Sequence, residues 1–311
     1  MGMQSKMFDI KITVFTPTFN RGYIIEQAYN SLCKQTVKDF EWLVIDDGSS
    51  DNTETLFNIW KKEDNGFDII YIKQENCGKM RAVNRGAQMA RGELFLNLDS
   101  DDFLADDTIE KIIYWEKTIC DKKECFAGIA GLRRHHDGSL IGTTFKGEHL
   151  DISILDISKY GISGDRVEVF YTGLLKKHPF PEIEGEKFFP EGVTWAEICF
   201  EENKILRYVN ETFIYCEYLS DGYSNSALQL SLDNPKGVCL QVKKMIKYKS
   251  PSYFGKMKYW HKYINIGRLL GYSPKSIMND LNISKLDYLF VVIGKKAIDI
   301  VRKLQRKNGK N

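Results

Sequence analysis

"LFLNLDSDDFLADD" occupies residues 94–107. An apolar run from Leu94 to Leu98 breaks off into Asp99, Ser100, Asp101 and Asp102, then resumes at Phe103 and Leu104. Carboxylates this close repel one another, so the turn that holds them must be neutralised or must keep them apart. Upstream lie three runs of the same greasy kind: "IKITVFT" (10–16), "EWLVID" (41–46) and "DIIYIK" (68–73). Helical patterns separate them. Ile25, Ala28, Tyr29, Leu32 and Cys33 recur on one helical face. "SSDNTETLFNIW" (49–60) opens with capping types, and Asp51 and Glu54 have the spacing of a capping box. Val83, Ala87 and Ala90 mark a third helix after Gly78. Strand and helix repeated at this interval predict an α/β fold with a parallel sheet covered on both faces.

Sheets of this kind bind ligands outside the carboxyl ends of their strands. There the chain places "TPTFNR" (16–21), "DDGSSDN" (46–52), "QENCGKMRAVN" (74–84) and "DSDD" (99–102). Polar and acidic residues gather at every one of these ends, which marks a site. Oxygen ligands on a short turn suit Mg²⁺ or Mn²⁺, which takes one or two carboxylates and leaves its other positions to water and phosphate. Asp99 and Asp101, one residue apart at the end of an apolar strand, fit that use. Asp102, Asp106 and Asp107 are also candidates to cap the helix that starts near Thr108, and for Asp106 and Asp107 capping is the preferred reading. An EF-hand is excluded, since its glycine and terminal glutamate are missing from the required positions.

The motifs "TPTFNR", "VIDDGSSDNT", "NCGKMRAVNRGAQMARGE" and "LNLDSDD" stand in one order over about residues 9–107. Together they resemble the nucleotide-sugar-binding half of family 2 glycosyltransferases, enzymes of the GT-A fold. The resemblance implies a nucleotide-sugar pocket made by Thr16, Pro17, Asn20, Arg21, Asp46, Asp47, Gly78, Lys79, Arg81, Asp99 and Ser100. One of Asp46 and Asp47 would accept the uracil N3–H of a UDP-sugar, while the other can be a turn aspartate holding the "DGSS" backbone. Gly78 would allow close backbone approach, and Lys79 and Arg81 would bring charge to the sugar or phosphates, although Arg81 can equally be a solvated helix residue. Asp99 and Asp101 match the family's DxD motif for Mn²⁺ or Mg²⁺.

The resemblance also implies an inverting displacement, in which an acceptor hydroxyl attacks the anomeric carbon with help from a general base. The family's acidic motif before a helix has no plain counterpart here. "FFPEGVTWAEICF" (188–200) is the segment in that position, and aligning Trp195 with the family's helical aromatic puts Glu191 on the base. Glu197 is the second candidate, followed by Glu182, Glu184 and Glu186. Trp195 is read as core, with sugar stacking as its alternative. His135 and His136 precede the turn signature "DGS" and are read as loop residues, as is His178.

Composition sets the outer limits. Apolar residues make up 43% of the 311 and aromatics 13%, enough for a core. The seven cysteines are scattered without CxxC spacing and read as reduced thiols, Cys120 and Cys125 being the one pair that could join. The N-terminus lacks a signal-peptide pattern, and no apolar run approaches the length that spans a bilayer, so a cytoplasmic protein is expected. The expected organisation is a GT-A domain over 1–232, with a donor half near 9–107 and an acceptor half near 108–232, then a basic helical region over 233–311. From Pro251 to the end, 13 Lys/Arg stand against three Asp, a net +10 that leaves −8 for the rest. This tail can lie on the anionic inner face of the cell membrane, be a plain helical appendage, or bind nucleic acid, though no nucleic-acid motif accompanies it.

The expected function is transfer of a sugar from a nucleotide-diphosphate donor to a saccharide or lipid-linked saccharide in bacterial surface polysaccharide synthesis. Two rivals are a sugar nucleotidyltransferase, which should carry a glycine-rich basic loop after the first strand, and a non-catalytic nucleotide-sugar sensor. "TPTFNRG" is not such a loop.

Overall fold

A computed structural model describes residues 10–217 and 227–293. β1 (Ile10–Thr18), β2 (Phe40–Asp46), β3 (Asp68–Lys73) and β4 (Gly92–Asn97) alternate with α1 (Glu26–Lys34), α2 (Thr53–Trp60) and α3 (Lys79–Met89). The strands lie in the order β3-β2-β1-β4, every pair parallel. This is the layout that the alternating periods of the first hundred residues predict. Short connections on the carboxyl side bring the four polar loops to one edge.

Ile12, Val14, Trp42, Val44, Leu94 and Leu96 join one apolar core with Ala28, Leu32 and Phe57 from α1 and α2. The alternate residues Thr13, Phe15, Leu43 and Phe95 are just as buried on the other face, where α3 packs. Phe15 and Phe95 stack there at 5.1 Å. α3 comes so close that a Cβ on Gly86 would meet the Phe15 ring at 2.1 Å. A buried carboxylate closes the opposite end of this layer: Glu41 accepts from Thr13 Oγ1 at 2.6 Å and from Arg91 Nε at 2.6 Å.

The chain continues through β5 (Phe103–Leu104), α4 (Thr108–Lys117), β6 (Phe126–His135), β7 (His149–Ile152), β8 (Arg166–Tyr171), α5 (Thr172–Lys177), α6 (Glu191–Glu201) and β9 (Ile205–Cys216). β8 joins β4 antiparallel, β6 follows β8 antiparallel, and β9 runs parallel to β6, with β5 and β7 antiparallel against β9. The architecture is a Rossmann-like sheet flanked by helices, parallel through its first half and mixed beyond it.

Local details differ from the sequence expectations. Asp51 does not form a capping box with Glu54. Its Oδ1 accepts from Thr53 N and Oγ1, and its Oδ2 accepts from Gly22 N at 2.8 Å, so it ties two loops instead. The residues after β8 form α5, where "TGLLKK" places Leu175 inward. Asp107 precedes α4 without capping it, and pairs with Lys111 one turn on at 3.0 Å.

The described chain divides into two compact units that meet in sequence at 226/227. In the second, α7 (Ala227–Asp233), α8 (Pro235–Lys249), α9 (Tyr253–Leu269) and α10 (Pro274–Leu281) are followed by a helical segment, 285–293. Ser252 and Ser273 cap α9 and α10 by accepting from Gly255 N and Ser276 N. Val242, Trp260, Tyr263, Ile264, Ile277, Tyr288 and Val291 form this unit's own core.

Overpacking the α3 contact is the direct test of this layering. Gly86→Ala is expected to destabilise the first unit by about 1–3 kcal/mol in denaturant melts. Adding Phe15→Leu, which clears the ring, should recover part of that loss.

Candidate active site at the carboxyl edge of the sheet

β4 delivers the acidic turn. Leu98 N still donates to Phe15 O at 2.8 Å, and then Asp102 N donates to Asp99 O at 3.0 Å to close the turn. α1 holds the tip from beneath, with Gln27 Nε2 donating to the Asp101 carbonyl. The three acids meet three different fates. Asp102 pairs with Arg133 of β6 at 2.7 Å, so it is not a helix cap. Asp99 pairs with Lys79 at 2.7 Å and accepts from Asn97 Nδ2 at 3.2 Å. The Asp101 carboxylate accepts from its own backbone N–H and forms no ion pair among the described residues. Burial and the charge of Asp99 push its pKa above the ordinary range, against the opposing pull of Arg21 and Lys79. A carboxylate left in this state beside a second one is a fitting pair of ligands for a hard divalent cation. Ser100, between them, is buried.

Lys79 reaches this corner because its loop is clamped. Gly78 has φ +100°, and its N–H donates to Asp47 Oδ2 at 2.8 Å while Cys77 N donates to Oδ1 at 3.0 Å. A Cβ at Gly78 would stand 2.4 Å from the Lys187 carbonyl. Asp46 is wholly buried and accepts from Ser49 N at 2.7 Å and from Tyr71 OH. Both acids of "DDGS" therefore first hold backbone. Asn20 does similar work across the edge. At φ +53° its Oδ1 accepts from Ser50 N, and its own N donates to Ser49 Oγ, both at 2.8 Å. Arg21 donates to Tyr23 OH. Thr16 and Pro17 lie inside β1, where the Thr16 hydroxyl accepts from Trp42 Nε1 at 2.9 Å.

The second half of the chain comes to the same place through residues 178–190. Arg81 Nη1 donates to the carbonyls of Cys77 and Glu186, and its Nη2 donates to that of Ile183. Arg81 is thus no solvated helix residue, since it ties α3 to residues 183–186. Asn84 exchanges two hydrogen bonds with the Phe180 backbone. The laced segment ends at Glu191 in the first turn of α6, whose Oε1 lies 3.0 Å from Lys79 Nζ. One ammonium thereby joins Asp99 to Glu191. Burial alone would lower the Lys79 pKa, but the two carboxylates outweigh it and hold the group charged. Burial likewise works against Asp99, and the Lys79 and Arg133 charges keep it ionised.

Glu197 sits six residues further along α6 and points off a different side of the helix. Glu182 makes a 3.5 Å ion pair with Arg81. Trp195 is buried against Phe170 and Phe180, as expected of a core residue. His178 bonds Glu202 at 2.6 Å, and His135 closes the expected turn by accepting from Gly138 N.

Sequence reading missed Arg133 and Glu168. Arg133 is the cation of Asp102, and its own pKa is raised by Asp102 and Asp99 despite burial. Glu168 stands mid-strand in β8, opposite Ala130 of β6 and next to Val169, which pairs with Leu96 of β4. Burial lifts its pKa to about 7, with Glu191 adding repulsion and Arg133 opposing. The available signal was a charge at an alternate position of the apolar run "VEVFY".

Residues 13–119 match the model of Glycosyl transferase family 2. A beta-1,3-glucosyltransferase of Campylobacter jejuni, named for its GalNAc(5)-diNAcBac-PP-undecaprenol substrate, is 28% identical over 223 residues, 70% of this chain and 68% of that protein. Staphylococcus aureus TarS 1–349 in complex with UDP-GlcNAc superposes with a TM-score of 0.62 at 20% identity, covering 91% of this chain and 82% of that one. The mannosyltransferase PcManGT from Pyrobaculum calidifontis, with GDP-Man and Mn²⁺, gives 0.55 at 16% identity over 95% and 84%. The fold is of the GT-A class. The match to glycosyltransferase family 2 is carried by residues 13–119, about a third of the chain.

Glu168 carries a signed prediction. A carboxyl whose folded pKa of about 7 exceeds its ordinary 4.5 is protonated more readily in the folded state. Its favourable contribution is complete below the lower value and is lost as pH rises through the higher one. Glu168→Gln should therefore raise stability by roughly 1–3 kcal/mol at pH 8 and change little near pH 4, as thermal melts would show.

Proposed function

We propose that this chain is an inverting glycosyltransferase that moves a sugar from a nucleotide diphosphate, UDP-linked by preference, to a saccharide or lipid-linked saccharide acceptor. The observation that carries this reading is the Lys79 bridge between Asp99 and Glu191. It joins the end of a donor-side strand to a carboxylate at the start of α6, where a general base is needed. Asp101 and Asp99 would hold Mn²⁺ or Mg²⁺, which when bound offsets negative charge growing on the leaving diphosphate. Lys79, at the same corner, adds a fixed positive charge toward the phosphates. Glu191 takes the proton from the acceptor hydroxyl as the new glycosidic bond forms, and the nucleotide leaves with the electrons of the old one.

Asp47 Oδ1 already accepts from Gln74 Nε2 and Cys77 N, while Oδ2, used once on Gly78 N, keeps a lone pair that suits the uracil N3–H. The family match over residues 13–119 and the undecaprenol-linked saccharide in the Campylobacter relative's name support a role in building bacterial surface polysaccharide. The same support extends to a location at the inner face of the cell membrane, met through the basic C-terminal region.

Two variants separate this reading from a sensor that only binds. Glu191→Gln should keep a donor-induced rise in Tm while transfer and donor hydrolysis fall at least about a hundredfold. Asp101→Ala should abolish the Mn²⁺-dependent part of that rise. Wild-type turnover in Glu191→Gln would remove the base from Glu191, and binding of UDP-sugars with no turnover in the wild type would favour the sensor.

A further inference from the structure

The second unit shows an apolar face with no partner among the described residues. In the helical segment 285–293, Tyr288 and Val291 turn inward to that unit's core. Leu286, Leu289, Phe290 and Ile293 recur at i, i+3, i+4 and i+7, and they are 78%, 40%, 56% and 59% exposed. This is a second stripe, separate from the one that packs. The first turn of α9 lies against the same segment, since Tyr253 OH donates to Asp287, and it brings Phe254, which is 75% exposed. Large apolar side chains at helical spacing on an open face mark an interaction surface.

We propose that this stripe enters the headgroup–acyl boundary of an anionic lipid leaflet. The proposal rests on the reading of a transferase working at a membrane, and deepens it by naming the side chains that make contact. Charge selects the occupant. From 227 to 311 the sequence holds 18 Lys/Arg against four Asp and no Glu. A second copy of the chain would bring the same excess of positive charge to the interface, whereas an anionic bilayer is its complement. Lys285 flanks the stripe directly, and Lys256 and Lys258 follow Phe254 on α9. No helix among the described residues is long and apolar enough to cross a membrane, so the contact lies in the plane of the interface. Apolar insertion adds to the headgroup attraction, and the stripe supplies a component that salt does not screen.

The test is co-sedimentation of the full chain with phosphatidylcholine vesicles, with and without phosphatidylglycerol, against a variant combining Leu286→Ser, Phe290→Ser and Ile293→Ser. The variant is expected to lose at least about tenfold in binding to phosphatidylglycerol vesicles, with unchanged Tm and donor-induced shift. The wild type should keep part of its binding in high salt. Equal binding by variant and wild type would show that charge alone acts and would overturn the proposal. So would light scattering that finds a dimer which the variant dissolves. Donor turnover without vesicle binding would sink the membrane surface and leave the transferase standing. Vesicle binding without turnover would do the reverse.

Discussion

A buried ammonium set between two carboxylates holds this site together. Lys79 lies 2.7 Å from Asp99 and 3.0 Å from Glu191, and those partners come from a strand end and a helix start that are 92 positions apart in the chain. Removing one member of such a group leaves an uncompensated charge in a poorly solvated place. The contact can persist only because both approaches are rigid. Asp47 clamps the loop before Lys79, and Arg81 and Asn84 lace the segment before Glu191 onto α3.

The acidic turn shows the same economy of charge. Arg133 answers Asp102 and Lys79 answers Asp99, while Asp101 is left facing the edge with a raised pKa. Three neighbouring acids thus acquire distinct roles from the elements around them. Lys79 and Arg133 hold Asp99 ionised, burial lifts Asp102 to about 7 against the pull of Arg133, and Asp101 has no fixed cation paired with it.

The first hundred residues were legible because their signals are local. Apolar runs of strand length, helical periodicity and polar loop ends dictated β1 to β4 and the helices between them. Asp99 and Asp101 followed from where the fourth apolar run stops, and Lys79 from the resemblance to the family. The rest of the first unit was less legible because its key contacts are long-range. Arg81 reads as a surface helix residue until residues 183–186 are seen to cover it. Arg133 and Glu168 sit in strands whose apolar neighbours mask them, and only the β4–β8–β6 pairing brings them toward the acidic turn. Asp51 and Asp107 have the chemistry of caps, but Asp51 is drawn to Gly22 N of another loop and Asp107 to Lys111 one turn along its own helix.

The central claim is that the donor corner and the α6 carboxylate act as one unit through Lys79. A double-mutant cycle on kcat/KM for donor turnover, with Lys79→Met, Glu191→Gln and the pair, tests it most directly. Groups that act together are strongly non-additive, so the double variant should lose little more than the worse single one. Losses that add in full would mean the two residues work independently, and would contradict the account.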